Sequence, residues 1–138
     1  MLPLKFNDTI KFTNFCAEIL ESDKNIMLVA IINERGRILD LKTRNGPAQF
    51  LDEKDLEMLF MQRTLQTRMI KESDDKLGIF NFTLTKREKF YEYTTQFGEM
   101  MMLAIINSVL SLSEVASMMG TLGERNFVDF KLVSALSD

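Results

Sequence analysis

Histidine is missing from this chain of 138 residues, and cysteine occurs once, at Cys16. Without histidine there is no Ser-His-Asp triad, no Cys-His pair and no histidine metal site, which excludes most hydrolase templates. A single cysteine cannot form an internal disulfide, and Cys16 lies on an apolar helical stripe, which is typical of an inert buried thiol. We therefore expect no catalytic residue, no metal site and no cofactor.

A glycine-rich phosphate-binding loop and a long apolar run are also missing. Gly120 to Gly123 lacks the lysine and the preceding strand of a Walker motif, so nucleotide hydrolysis is not expected. No run approaches the ~20 apolar residues that span a bilayer, and Met1 to Phe6 lacks the parts of a signal peptide. A net charge of −3 disfavours nucleic acid as a partner. We expect a cytoplasmic protein that does not enter the membrane and is not an enzyme.

Two unbroken apolar runs predict the middle of a β-sheet. Asn25 to Asn33 and Met100 to Asn107 are both rich in aliphatic residues, as expected of strands that are buried on both faces. The two strands should be neighbours, because both need cover on each side. We expect Val29 and Ile105 to be buried side by side.

Turn residues and hydrophobic periodicity predict the remaining elements. A helix capped by Asp8 comes before the first apolar run, and a turn at Gly36 follows that run. Three more strands are expected over Ile38 to Arg44, Ile79 to Leu84 and Lys89 to Gln96. Because hairpins pair strands that are neighbours in the chain, the prediction is an α+β fold with a five-stranded antiparallel sheet in the order 2-1-5-4-3 and helices on both faces.

One long helix is predicted from Leu51 to Gly78. Asp52 is its candidate N-cap, and Gly78 can take the left-handed conformation that ends helices. At about 100° per residue the helix has two apolar faces. The face expected to pack on the sheet carries Met58, Met61, Leu65 and Met69. The opposite face, expected to contact a partner, carries Leu56, Leu59, Phe60, Arg63, Thr67 and Ile70.

Two explanations of the second face remain open. A large exposed apolar patch usually marks an interface, and a twofold helix contact in a homodimer would cover it. Alternatively, the C-terminal segment of the same chain covers it. This segment, residues 111–138, is expected to be helical and to pack on the domain formed by residues 1–110. Ser111 to Glu114 and Thr121 to Glu124 fit capping boxes, whereas Phe127 to Val133 fits either a helix or a strand.

The strand order and two stretches of sequence resemble known families. The order resembles that of the profilin-like group, which includes the roadblock/LC7, longin and PAS-like domains, and IMLVAIINERGRILDL resembles the first roadblock hairpin. The long-helix segment LDEKDLEMLFMQRTLQTRMIKESDDKLG, followed by KREK at Lys86 to Lys89, resembles an uncharacterised family of small archaeal proteins. Residues after Leu110 depart from the single C-terminal helix of that family.

The roadblock/LC7 resemblance implies a noncatalytic homodimeric module for protein interaction or regulation, which acts on a small GTPase or a signalling assembly. The alternative is a PAS-like domain that senses a small molecule held between the sheet and a covering helix. A cavity of a few hundred cubic ångströms lined by Phe and Met would favour the sensor. A filled core with a twofold helix contact would favour the module.

Overall fold

The computed structural model describes residues 6–44 and 51–122 and has an antiparallel sheet at its centre. The strands are β1 (Ile26–Ile32), β2 (Ile38–Thr43), β3 (Phe82–Lys86), β4 (Phe90–Phe97) and β5 (Met100–Asn107). The helices are α1 (Phe6–Ser22), α2 (Glu53–Lys71) and α3 (Asp74–Leu77), followed by α4 over residues 112–122. The sheet order β2-β1-β5-β4-β3 confirms the predicted fold class and strand order.

β1 and β5 lie side by side in the middle of the sheet, and every residue of β1 is buried. Successive side chains point to opposite faces, so α1 and α4 cover one set of β1 and β5 side chains while α2 covers the other. Val29 pairs with Ala104, and Ile105 pairs with Leu28. Val29 and Ile105 are therefore both buried in the neighbouring central strands, as predicted, but they point to opposite faces and are not side by side.

β3 begins later than predicted. The short helix α3 occupies Asp74–Leu77, and Gly78 ends it with φ 94°. The backbone N–H of Phe80 then donates to Asp74 Oδ1 at 3.1 Å. Pairing with β4 starts only at Phe82, opposite Thr95. The apolar residues before that point are left outside the sheet, and Ile79 is 87% exposed.

The helix ends also differ from the predictions. α1 already includes Asp8, so Asp8 is not its cap. At the start of α4 the predicted capping box is present, because Ser111 N donates to Glu114 Oε1 at 3.0 Å and Glu114 N donates to Ser111 Oγ at 3.2 Å.

Gly120 does not break α4, which continues to residue 122, and the Thr121 hydroxyl donates to the Ser117 carbonyl inside the helix. Thr121 is therefore not an N-cap. Glu124 and Phe127 to Val133 lie outside the described residues. Among residues 6–44 and 51–122, no helix is long and apolar enough to cross a membrane.

Candidate functional site

The long helix α2 is positioned by a capping box at its first turn. Asp52 Oδ1 accepts from Asp55 N at 2.8 Å, and Asp52 N donates to Asp55 Oδ2 at 3.2 Å. These bonds satisfy two backbone N–H groups at the helix start. The predicted cap at Asp52 is confirmed, but α2 ends at Lys71 after 19 residues, so the single helix predicted from Leu51 to Gly78 is in fact two helices, α2 and α3.

The face of α2 that packs on the sheet is the one predicted to point outward. Leu56 and Phe60 are 7% and 0% exposed and lie in the apolar cluster with β1 and β5. Thr67 is 6% exposed, and its hydroxyl donates to Met101 Sδ at 3.2 Å. The prediction that these three residues contact a partner was wrong, because the chain's own sheet covers them.

The other three residues of the predicted interface lie on the flanks of α2. Leu59, Arg63 and Ile70 are partly buried. Leu59 packs against the apolar cluster beneath the helix, and Arg63 forms an ion pair with Glu92 of β4. The six predicted residues therefore do not form one continuous outer surface.

The surface that points into solvent is formed by the residues predicted to face the core. Met58, Met61, Leu65 and Met69 are 53%, 52%, 55% and 69% exposed, and we call them the outer stripe. The prediction that this face packs on the sheet was wrong. Periodicity predicts two faces but does not decide which of them turns inward.

The surroundings of Thr64 give one physical reason why this face of α2 packs on the sheet. The turn between β1 and β2 lies against the middle of α2, where a Cβ at Gly36 would come 3.3 Å from Thr64 Oγ1 and 3.4 Å from Met61 Cα. Glycine at position 36 allows this close approach of the turn to α2. The Thr64 hydroxyl can be buried because it donates to the Phe60 carbonyl at 2.8 Å. A threonine inside an apolar helical face was the signal that the sequence interpretation missed.

A buried charge joins the flank of α2 to the sheet. Glu92 Oε2 accepts from Arg63 Nε at 2.8 Å and from Arg63 Nη2 at 2.6 Å. Arg87 Nε donates to the other oxygen, Oε1, at 2.9 Å. The Glu92 side chain is 7% exposed, against 14% for Arg63 and 59% for Arg87. Two guanidinium groups thus hold one carboxylate, which is the geometry of strong charge-assisted hydrogen bonds.

A cavity of about 380 Å³ opens beside this ion pair, between the first half of α2 and the sheet. Its apolar walls include Met27, Leu28, Leu51, Leu59, Phe90 and Ile105. Met58, Asp55, Gln62, Arg87 and Glu92 also line it. Its size lies within the range of roughly 300 to 1,000 Å³ that is usual for ligand sites. A cavity of this size lined by Phe and Met is the feature expected of a sensor.

Cys16 is the one nucleophile that the sequence singled out, and it lies far from this surface in the cluster under α1. Burial raises the pKa of the Cys16 thiol well above its usual range, and the nearby Asp40 carboxylate raises this pKa further. The thiol therefore stays protonated at neutral pH, and its predicted burial is confirmed. Among the residues that the structure describes, no group of three or more Cys, Asp and Glu is arranged to hold a metal ion.

Solved structures of other proteins share this architecture at low sequence identity. A roadblock/LC7 domain from Streptomyces avermitilis is 6% identical, with a TM-score of 0.62 over 84% of this chain and 96% of that one. The chain has the roadblock/LC7 fold. MglB of Myxococcus xanthus is 16% identical, with a TM-score of 0.71 over 94% of this chain and 95% of that one. A structure described as MglB with tetrameric arrangement is 13% identical, with a TM-score of 0.66 over 91% and 89%.

Likeness at these identities concerns the roadblock/LC7 fold alone. No protein-family model matches the chain, and no curated protein matches it either. Its resemblance to the small archaeal family therefore stays an expectation.

Proposed function

We propose that this protein is a noncatalytic homodimeric interaction module of the cytoplasm and that α2 provides its contact surface. The outer stripe is the observation that carries the proposal, because four large apolar side chains, each more than half exposed, lie along one face of the helix. Full burial of a large apolar side chain is worth about 1.5 to 3 kcal/mol of transfer free energy, so covering each of these half-exposed side chains would gain roughly half of that. Exposed apolar patches of this kind mark interaction surfaces.

A second copy of the chain is the partner that α2 fits best. The first turn carries Glu53 and Asp55, and the last turn carries Arg68 and Lys71. Two α2 helices that pack antiparallel about a twofold axis would place the acidic end of each against the basic end of the other. The same apolar stripe would then meet itself at the centre, as symmetric dimers require. The tetrameric arrangement described for one similar MglB structure supports self-association.

A further protein partner follows from the resemblance to the roadblock/LC7 domains. We propose that the dimer binds or regulates a small GTPase or a signalling assembly. The outer stripe suits such a role, because three of its residues are methionines, whose flexible side chains repack readily against different partners.

Replacing Leu65 with glutamate tests the homodimer. The Leu65→Glu change would bury an unpaired charge twice in each dimer, at a cost of several kcal/mol. The monomer fold should be unaffected, since Leu65 is 55% exposed. Light scattering at micromolar concentration should give a dimer for the wild type and a folded monomer for the variant.

Val109→Glu is the matched control for this experiment. Val109 is 73% exposed and lies in the turn after β5, outside the outer stripe, so the same change from an apolar to an acidic residue should leave the dimer intact. A wild type that is monomeric at micromolar concentration would contradict the homodimer. Dimers for both variants would show that the outer stripe around Leu65 is not the contact.

A second candidate function is the sensing of a small molecule. The cavity between α2 and the sheet favours it, because apolar walls and a few polar groups are the usual composition of a ligand site.

A further inference from the structure

The walls of the cavity between α2 and the sheet are suited to an apolar ligand. Ile105 lies on its sheet side, Leu59 on its helix side and Phe90 at the start of β4. The cavity has a volume of about 380 Å³ and leaves apolar parts of these side chains open to solvent. A ligand with an apolar chain would cover these parts and remove its own surface from water.

The polar groups of the cavity favour an anion at one end of that ligand. Arg87 Nε donates to Glu92 Oε1, and within the part of the chain that the structure describes the other guanidinium nitrogens of Arg87 make no hydrogen bond. Glu92 is already paired with Arg63, so its charge does not require Arg87. A guanidinium can hold two carboxylates at once, because it carries five N–H donors.

The two acidic side chains that line the cavity, Asp55 and Glu92, are already engaged within the protein and do not favour a cation as the ligand. Asp55 accepts from Asp52 N in the capping box that begins α2. Glu92 receives three hydrogen bonds from two arginines. Both Glu92 oxygens and Asp55 Oδ2 are thus engaged by the protein's own donors, whereas Arg87 keeps guanidinium N–H groups for a ligand.

We propose that this cavity binds a monocarboxylic acid with an apolar chain of medium length, with the chain inside the cavity and the carboxylate on Arg87. The proposal names the ligand class for the second candidate function and rests on it. The cavity and the outer stripe share Met58, but Leu65 does not line the cavity, so the ligand site can be tested in the Leu65→Glu monomer.

Methionine methyl groups provide the test, with octanoate as the probe. Met27 and Met58 line the cavity, whereas Met102 and Met119 lie in the cluster on the opposite face of the sheet. In full-length protein labelled with ¹³C at the methionine methyls, octanoate should shift the Met27 and Met58 signals in a saturable manner. The Met102 and Met119 signals should stay in place.

Two variants test the position of the carboxylate. Losing a charge-assisted hydrogen bond weakens binding by about tenfold or more, so Arg87→Gln should weaken octanoate binding by that factor and leave the affinity for neutral octanol unchanged. Lys86→Gln removes the same charge one residue earlier. Lys86 lies with its ammonium 4.8 Å from the Tyr91 ring centre, on the other side of the sheet, so this control should bind octanoate as the wild type does.

Three results would overturn the proposal. The first is that octanoate does not shift the Met27 and Met58 signals. The second is that Arg87→Gln weakens the binding of octanol as much as the binding of octanoate. The third is that dilution of the protein alone shifts the two signals, which would mean that a second copy fills the cavity. The Leu65→Glu variant separates this proposal from the homodimer. Octanoate binding by a monomeric Leu65→Glu protein supports both, and octanoate binding by a wild type that is itself monomeric supports the ligand site alone.

Discussion

Glu92 is the residue on which the contact between α2 and β4 depends most directly. Its neighbours Tyr91 and Tyr93 point into the cluster under α1, and Glu92 points to the α2 side. Because the Glu92 carboxylate is buried, a partner that is itself buried contributes more to stability than a partner that is exposed to water. Arg63 is almost enclosed at 14% exposure, whereas Arg87 is 59% exposed and shares its charge with water.

Removing Arg63 should therefore cost more stability than removing Arg87. Arg63→Ala leaves a buried carboxylate short of two hydrogen bonds, which should lower the free energy of unfolding by about 1 to 3 kcal/mol. Arg87→Ala removes an exposed partner and should cost less than about 1 kcal/mol. Urea unfolding of the two variants measures both values. An equal loss, or a larger loss for Arg87→Ala, would mean that the two arginines do not differ in this way.

At the scale of the element, α2 depends on the two aspartates that begin it. Asp52 and Asp55 exchange side-chain and backbone hydrogen bonds, and Glu53 adds negative charge to the first turn, where the helix dipole favours it. The outer stripe and the cavity wall both belong to this helix.

Loss of the cap should destabilise the whole fold, because α2 covers one face of the sheet. Asp52→Ala should lower the free energy of unfolding by about 0.5 to 2 kcal/mol. Lys54→Ala is the control, since Lys54 is an exposed residue of the same turn and should change stability by no more than about 0.5 kcal/mol. Thermal unfolding followed by circular dichroism compares the variants. If Asp52→Ala and Lys54→Ala unfold at the same temperature, the capping box does not stabilise α2.

At the scale of the whole molecule, β1 and β5 divide the core into two clusters that share one sheet. α1 and α4 complete one cluster, and α2 completes the other. Val29 lies in the first cluster and is fully buried, with Ala104 opposite it. A cavity at this point would remove contacts between the central strands and the helices that cover them.

Val29→Ala should therefore cost about 1 to 3 kcal/mol of stability, through lost apolar burial and the cavity that remains. Val109→Ala makes the same chemical change at a position that is 73% exposed, and it should stay within about 0.5 kcal/mol of the wild type. Chemical denaturation measures the free energy of unfolding of both variants. If Val29→Ala changes the free energy of unfolding by no more than the experimental error, Val29 does not contribute to the stability of the core.

The sequence by itself determined the five strands and their order in the sheet. Two unbroken apolar runs can be satisfied only in the middle of a sheet, and hairpin turns pair the remaining strands with their neighbours, so the order 2-1-5-4-3 follows from local rules. Caps at Asp52 and Ser111 were visible for the same reason, since a capping box is a local pattern of hydrogen bonds.

Only the tertiary structure decided which face of α2 turns inward, and the surface available to a partner depends on that choice. Both faces are apolar, so the hydrophobic effect alone does not rank them. The turn at Gly36 comes close to Thr64, and Arg63 pairs with Glu92 of β4, so both contacts join segments that lie far apart in the chain. Such contacts form only when distant segments of the chain pack together. In the packed structure Phe60 lies on the sheet, and Met58 and Leu65 are exposed to solvent.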